Sequence, residues 1–563
     1  MQRVVPGAIA ALLGSTLAAS AADVSYERLR NPEPRNWLTH HGDFSAHRHS
    51  PLTAINRTNA GKLKMAFALA LGGTAGNENL TATPLVDDGF MFITDAWGVV
   101  YKIDVRSGAA GPIVWKMDPS QQKIDRNRGA ALWGNLVIST TAHDGRVVAT
   151  NKDSGQVVWD KNLRDQPDMT LNSAPLAIEN AILVGASGGD QGVRNWIVAL
   201  DPKTGAELWR FYSIPAPGEP GHETWKDKNN AWQTGGGSFY NTGSYDPATN
   251  LTYWGSGNPT PKYDSSYRPG DNLYTNSALA LDAATGKLKW FHQYTPNDTM
   301  DFDESGSHLL IDAKFGGEDR KLVVRAARNG FVYSFDRLNG QFLKATQYVS
   351  KVTWTKGIDA KTGKPLDYDP AKELQTYAEP VAQILTGAKS SFCPGVPGGN
   401  NFWPASYSRT SRTLYIPTLE GCTWVTRDQT RHVRGKFDGG SFGYDSRLTS
   451  TVMAYDPASG ELKGKKELPY PNTSGILSTA GGVLITALLD GTVMALDDQS
   501  FEELWSVNVG TGVNAPPITY EAAGKQFIAI STGLTGNQVG RISTAPEMKG
   551  LAKNTTMLFV FGL

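Results

Sequence analysis

One short phrase recurs seven times along this 563-residue chain, and it constrains the fold more than any other feature. In its fullest form, at Ile197–Trp209, it reads I-V-A-L-D-P-K-T-G-A-E-L-W, with aliphatic residues, an Asp, a turn ending in Gly, and a Trp. The other six copies have the following residues at the Asp position: Asp104, Asn151, Asp282, Asp336, Asp456 and Asp497. In four of these copies the closing Trp recurs: Trp115, Trp159, Trp290 and Trp505. Two copies carry Lys344 and Gly464 instead.

A repeat of roughly 40–50 residues with a turn in its middle is typical of a β-propeller. Each copy is a hairpin that cannot bury both of its faces alone, so neighbouring copies must stack around a ring. The 60 Gly, the 15 Trp and the lack of long helix-period stretches also favour an all-β chain with many turns. The sequence therefore predicts a propeller, a fold that binds ligands at the mouth of its central channel.

The charge balance argues against two classes of partner. Lys plus Arg and Asp plus Glu are equal at 54 each, and no run of like charge exceeds a few residues. Nucleic acids and anionic membrane surfaces attract clustered positive charge, so neither is expected as a partner. No segment after the N-terminus is apolar for long enough to span a bilayer.

The first residues predict a targeting segment. Arg3 opens an apolar stretch that runs to Leu17, and Ala19-Ser20-Ala21 matches the A-x-A cleavage pattern. We therefore expect a signal peptide at residues 1–21, one propeller domain at residues 22–563, and a mature protein in the bacterial periplasm. An uncleaved anchor is the alternative.

The two cysteines are expected to pair. Cys393 and Cys422 are the only cysteines in the chain, and the periplasm oxidises thiols. A thiolate metal site needs more ligands than two. A bridge closing a loop of about 30 residues would stabilise the fold by roughly 3.5 kcal/mol.

Two groups of polar residues are candidates for metal binding. Four histidines between His40 and His49 lack the spacing of a zinc site, so a polar, solvated segment is expected there. Carboxylates and amides beside Gly or Pro give a better oxygen-donor set for a hard cation: Asp190, Asn258, Asp298, Asp301 and Asp303. Turn formation is the alternative explanation, because Asn and Asp also favour turns.

At these residues the chain resembles the pyrroloquinoline-quinone (PQQ) dependent alcohol dehydrogenases of the methanol and ethanol dehydrogenase type. The resemblance runs from Asn36-Trp37 to the C-terminus. Its motifs follow in the family order: Trp232–Gly237, Gly257-Asn258-Pro259, Thr295-Pro296 with Asp301, Arg328-Asn329-Gly330, Cys393-Pro394 and Gly510–Tyr520.

The resemblance implies an eight-bladed propeller with tryptophan-docking repeats that binds PQQ over a metal ion at the channel mouth. The metal-ligand positions of the family correspond to Asp190, Asn258 and Asp301, and an additional carboxylate stands at Asp303. Asp301 also matches the catalytic base, and Arg328 matches the Arg that contacts the quinone oxygens. The implied PQQ contacts are Arg128, Thr141, Ser187, Gly188, Gly189, Tyr240, Arg328 and Asn401.

The chain departs from the family pattern around the cofactor. Asp190 replaces the usual Glu ligand, Tyr240 replaces the Trp platform, and Met300 replaces an aromatic residue. Gln122-Lys123 lie near the position of the family's vicinal Cys pair. Smaller groups around the quinone suggest a bulky, secondary or cyclic alcohol substrate.

The resemblance leaves the metal open between calcium and a lanthanide. Asp303 accompanies lanthanide use in the family, whereas the altered ligand Asp190 favours calcium. Since the chain contains no C-x-x-C-H haem signature, a soluble cytochrome c is the expected electron acceptor. Two alternatives stay open: a non-catalytic scaffold of outer-membrane protein assembly, which would need neither Asn258, Asp301 nor Arg328, and a PQQ-dependent sugar dehydrogenase.

Overall fold

The structure is a computed structural model that describes residues 22–72, 78, 80–430, 432–433, 435–445, 447–534, 544–551 and 555–563. The predicted signal peptide at residues 1–21 lies outside the described residues and stays a prediction. No helix within those described ranges is long and apolar enough to cross a membrane.

The described residues form eight antiparallel blades and one small additional sheet, which confirms the predicted all-β propeller. Blades 1 to 4 consist of these strands: Leu85–Asp87, Phe90–Thr94, Val100–Asp104 and Ile113–Met117; Ala130–Trp133, Leu136–Thr141, Arg146–Asn151 and Val157–Asn162; Leu176–Ala177, Ile182–Gly185, Trp196–Leu200 and Glu207–Tyr212; Ser244–Asp246, Leu251–Gly255, Ser277–Asp282 and Leu288–Gln293.

Blades 5 to 7 follow the same order: Leu309–Phe315, Glu318–Ala326, Phe331–Asp336 and Phe342–Gln347; Ser406–Ser408, Thr413–Glu420, Thr449–Tyr455 and Leu462–Leu468; Ile476–Thr479, Val483–Ala487, Thr492–Asp497 and Glu503–Asn508. The short strand His49–Ser50 pairs in parallel with the first strand of blade 7. The two α-helices in the described chain are short: Tyr26–Arg30 and Glu379–Leu385. The 3-10 turns are Ala60–Lys62, Gly189–Gln191, His222–Thr224, Ala231–Thr234, Ser265–Tyr267 and Pro546–Gly550.

Blade 8 closes the ring with strands from both ends of the chain. Ile518–Ala522, Lys525–Ser531 and Met557–Gly562 form its first three strands. The outer strand is Lys64–Ala70, which pairs antiparallel with Met557–Gly562. This closure of the ring pairs the backbone N–H and C=O groups that an open end would leave exposed.

The repeated Trp docks each of blades 1 to 4 onto the next blade. Trp209 Nε1 donates a hydrogen bond of 3.0 Å to the carbonyl of Ala283 in the turn of blade 4. Its ring covers Gly286, where a Cβ atom would lie 2.5 Å from the indole. The equivalent bonds elsewhere run from Trp115 to Lys152, from Trp159 to Pro202 and from Trp290 to Arg337. The Asp-turn-Gly-Trp phrase is therefore an interface between blades as well as a turn.

The two copies without Trp dock by other means. The Lys344 ammonium donates a hydrogen bond to the carbonyl of Ser459 in the turn of blade 6, so it replaces the hydrogen bond that the Trp indole makes in the other copies. At Gly464, the ring of Phe501 from blade 7 fills the space, and an added Cβ would lie 2.4 Å from it.

The histidine-containing segment is buried, so the expectation of a solvated segment is wrong. His40, His41 and His47 are 8%, 3% and 5% exposed. The segment lies across the inner strands of several blades, where His41 Nε2 bonds to the carbonyl of Thr242 at 3.1 Å and the backbone of Tyr407 bonds to that of His47. Carbonyl groups at the strand ends supply partners for the imidazoles, which allows these polar residues to be buried.

The predicted disulfide is present between Cys393 and Cys422, with a Cα–Cα distance of 4.5 Å. It links the ends of two strands of a small inserted sheet, in which Ser390–Phe392 comes before blade 6, and Thr423–Arg427 and Gly440–Tyr444 lie between the second and third strands of blade 6. This inserted sheet matters for function because two of its side chains, Phe442 and Tyr444, line the main cavity.

Candidate active site

The loops of several blades enclose a cavity of about 920 Å³. Nearly all residues implicated by sequence line it: Arg128, Ser187, Gly188, Gly189, Asp190, Tyr240, Asn258, Asp301, Asp303, Arg328 and Asn401. The ring of blades thus brings distant segments into one wall.

Asp301 sits in a braced loop. Its backbone is left-handed, with φ of +63°, a conformation that is uncommon outside Gly and that concentrates at functional sites. The buried carboxylate of Asp298 accepts the backbone N–H groups of Met300 and Phe302 at 2.8 Å each. Asp298, an oxygen donor in the sequence analysis, therefore holds the loop in place and does not line the cavity.

Arg328 links the two carboxylates at the end of this loop. Its guanidinium lies 3.7 Å from Asp301 and pairs directly with Asp303. It also donates to the carbonyl of Val396, which fixes its orientation. Burial raises the pKa of Asp301 and outweighs the opposing effects of Lys262 and Arg328. Asp301 is thus a carboxylate of raised basicity beside a fixed cation.

The expected metal ligands meet at the same place. Asn258 Nδ2 lies 3.5 Å from Asp190 Oδ1, and the backbone N–H of Asn258 donates to Asp303 Oδ1 at 3.0 Å. The carboxylate and amide oxygens suit a hard cation. Within the described residues, however, no three His, Cys, Asp or Glu side chains are gathered as ligands around one point. A cation bound here would compete with the protein's own positive groups for these oxygens.

One of those positive groups is Lys262, which the sequence analysis missed. Its ammonium lies 3.3 Å from Asp190 Oδ2 and 2.9 Å from Asp438 Oδ1. Burial alone would lower the pKa of Lys262, but the negative charges of Asp190 and Asp301 raise it by more, so the net shift is upward. The position of Lys262, four residues after Asn258, was the only signal in the sequence.

The other side of the cavity carries a buried cation, Arg128, between two aromatic rings. The Arg128 guanidinium stacks 4.9 Å from the ring centroids of both Tyr240 and Phe402. Burial lowers its pKa to about 10, and its buried Nε has no hydrogen-bond partner in the described chain. The Tyr240 hydroxyl donates to Asn401 Oδ1 at 3.1 Å. This arrangement fits a flat, polyanionic ligand such as PQQ, which an aromatic face and a guanidinium can both contact.

Thr141 does not belong to this wall. It is fully buried at the end of its strand, and its Oγ1 accepts the backbone N–H of Arg146 at 3.0 Å. Asn172 lines the cavity instead and contacts the hydroxyl of Ser187. No motif marks Asn172 in the sequence, because its position depends on how two loops of blade 3 meet.

Two departures from the family pattern lie outside the cavity wall. Met300 is fully buried in a hydrophobic cluster and does not line the cavity. Gln122 and Lys123 are exposed, whereas the neighbouring Asp125 and Arg126 form part of the wall. The side chains of these three residues therefore form no part of the cavity wall, and the roomier pocket stays a prediction.

Comparisons with known proteins identify the family of this chain. The family model of the PQQ glucose/ethanol/alcohol dehydrogenase β-propeller domain matches residues 37–352 and 437–528. A quinoprotein alcohol dehydrogenase, PedH, of Pseudomonas putida is 31% identical, with 94% of this chain and 92% of that protein covered. A quinoprotein ethanol dehydrogenase of Pseudomonas putida is also 31% identical, over 94% of this chain and 91% of that protein.

Solved structures give the same result. A quinohemoprotein alcohol dehydrogenase, ADHIIG, of Pseudomonas putida superimposes with a TM-score of 0.87 at 28% identity, over 96% of this chain and 82% of that chain. A europium-containing methanol dehydrogenase superimposes with a TM-score of 0.86 at 27% identity, over 96% of this chain and 100% of that chain. The chain therefore belongs to the PQQ-dependent alcohol dehydrogenase family.

Proposed function

We propose that this protein oxidises an alcohol to an aldehyde or ketone with PQQ and a bound cation in the 920 Å³ cavity. The observation that carries the proposal is the buried group formed by Asp301, Arg328 and Asp303, facing Asp190 and Asn258. Bound PQQ would supply the acceptor of a hydride from the alcohol, and the cation would polarise the quinone. A non-catalytic scaffold has no use for this buried charged group.

Asp301 takes the proton of the alcohol hydroxyl in this proposal. A carboxylate whose pKa is raised by burial is a stronger base than an exposed one, and it is still ionised when the pH exceeds that pKa. Arg328 stays protonated and supplies positive charge 3.7 Å from Asp301. The contacts of Arg328 with Asp303 and Val396 keep that charge fixed while the proton moves.

Arg128, Tyr240 and Asn401 would hold the cofactor. The Arg128 guanidinium, which lines the cavity, would give PQQ a cationic partner, and the Tyr240 ring would give it an aromatic surface. Ser187, Gly188 and Gly189 line the adjacent wall, where small residues let a ligand approach the backbone.

The cation is calcium or a lanthanide. Both oxygens of Asp303 already accept protein donors, from the backbone of Asn258 and from Arg328, which reduces its capacity as an extra ligand. This supports calcium, whereas the presence of a third carboxylate supports a trivalent ion.

We also propose an alcohol larger than methanol as the substrate. The cavity of about 920 Å³ must hold PQQ and the cation as well as the alcohol, so the argument for a larger substrate rests on the composition of its wall. The inserted sheet adds Phe442 and Tyr444 to the wall, which gives an apolar surface for a larger substrate. A sugar as the substrate is the minor variant.

The predicted signal peptide supports a periplasmic location, and a soluble cytochrome c is then the acceptor of electrons. Neither feature follows from the cavity itself. Dye reduction and cytochrome c reduction measured with the same preparation would separate catalysis from the choice of acceptor.

The proposal is tested by dye reduction with purified protein, PQQ and either calcium or lanthanum, over a series from methanol to cyclic secondary alcohols. We expect activity that requires both PQQ and metal and that favours larger alcohols. An absence of both PQQ binding and activity would contradict the assignment. Brisk turnover of methanol alone would contradict the substrate size.

A further inference from the structure

We propose that Lys262 is a built-in cation of the metal site that lowers the preference of this site for trivalent over divalent ions. The inference rests on the proposed function, because it concerns the cation of that same site. It comes from the contacts of a single lysine that the catalytic scheme does not use.

Lys262 is placed by backbone contacts on both sides. The N–H of Lys262 donates to the carbonyl of Phe437 at 3.3 Å, and the N–H of Tyr263 donates to the carbonyl of Asp438 at 3.0 Å. The N–H of Phe437 in turn donates to the carbonyl of Asp190 at 3.2 Å. These bonds tie the residues 437–438 to both metal-site loops.

The side chains complete the arrangement. Lys262 is 8% exposed, and its ammonium bridges Asp190 and Asp438 at 3.3 and 2.9 Å. The ring of Phe437 packs on Gly192, where an added Cβ would lie only 2.5 Å away, so this segment approaches the Asp190 loop closely. A surface lysine would be free to turn away, but this one is held among carboxylates.

The consequence for metal binding follows from charge. When all three are ionised, Asp190, Asp301 and Asp303 carry three negative charges, and Arg328 offsets one of them. Lys262, whose ammonium is shared between Asp190 and Asp438, offsets part of a second charge, so less negative charge is left for a metal ion. Since repulsion by a fixed positive charge grows with the charge of the incoming ion, a trivalent ion is disfavoured more than a divalent one.

The test measures metal binding without turnover. Terbium luminescence and calorimetric titration with calcium, each in the presence of PQQ, give the two affinities and their ratio. We expect Lys262→Met to raise the ratio of terbium to calcium affinity by about tenfold or more. Asp438→Asn should lower this ratio. The Lys262 ammonium then loses its second carboxylate partner, so more of its positive charge acts on the metal site.

The matched control is Lys436→Met, which removes a positive charge from an exposed position of the neighbouring segment. It should leave the ratio unchanged. If both metals bind and neither Lys262→Met nor Asp438→Asn alters the ratio, the inference is wrong while the proposed function stands. If neither metal binds to the unaltered protein in the presence of PQQ, the proposed function fails as well.

Discussion

The docking of Trp209 on Gly286 makes a prediction about the interface between blades 3 and 4. Gly286 has φ of +71°, and a Cβ there would lie 2.5 Å from the indole. Gly524, in the turn between two strands of blade 8, has φ of +69° and no atom within 4 Å of such a Cβ. Substitution by Ala strains the backbone at both positions, but only at Gly286 does the new methyl group meet a neighbouring blade.

The magnitudes follow from these two contributions. A left-handed backbone costs an Ala about 1–2 kcal/mol, and overpacking costs about 1–3 kcal/mol more. Gly524→Ala should therefore destabilise the fold by the first amount alone, and Gly286→Ala by about 2–5 kcal/mol in total. An unfolding entropy of about 2 cal/mol/K per residue makes each kcal/mol equivalent to about 1 °C in Tm for a chain of this length.

Calorimetry at one scan rate checks the prediction. Gly286→Ala should melt about 1–3 °C below Gly524→Ala. Combining Gly286→Ala with Trp209→Ala should remove the extra cost, because the indole that the new methyl group would meet is then absent. Equal Tm values for the two single variants would refute the docking account.

Three further predictions concern catalysis and stability. Asp301→Asn should lower kcat by about 10²–10⁴-fold while PQQ still quenches protein fluorescence, and near-normal kcat would contradict the assignment of the base. Cys393→Ser should lower the free energy of unfolding by about 2–4 kcal/mol, measured by denaturant titration against the reduced unaltered protein, which should lose as much. Burial lowers the pKa of His41 to about 4, below the value of about 6.5 expected in the unfolded chain. The unfolded chain then binds the extra proton, so the contribution of His41 to stability should fall by up to about 3 kcal/mol between pH 6.5 and pH 4, and His41→Gln should lose that much less than the unaltered protein.

The repeat predicted the fold because each copy carries a complete local signal. The phrase around Asp201 encodes its strand, its turn and the Trp that reaches the next blade. Blade 8 gives no such signal, because its outer strand Lys64–Ala70 joins Met557–Gly562 from the other end of the chain. Pairing between distant segments leaves no local periodicity to detect.

Site residues that stand in recognisable motifs could be predicted from the sequence, whereas those brought together by the meeting of two loops could not. Asp190, Asn258 and Asp301 stand in recognisable turns, and the structure brings them to one cavity. Lys262 and Asp438 carry no motif, and they meet only because backbone bonds join two loops. The burial of the histidines was not predicted for a related reason, because their hydrogen-bond partners are backbone carbonyl groups of distant segments, which the sequence does not reveal.

Single-turnover reduction of bound PQQ tests the central claim most directly. The protein is loaded with PQQ and metal and mixed anaerobically with one alcohol, and the quinone absorbance is followed without any electron acceptor. We expect one alcohol oxidised for each PQQ, with the rate lost in Asp301→Asn and PQQ still bound. Tight binding of PQQ without reduction by any alcohol, or an unchanged rate in Asp301→Asn, would contradict the account.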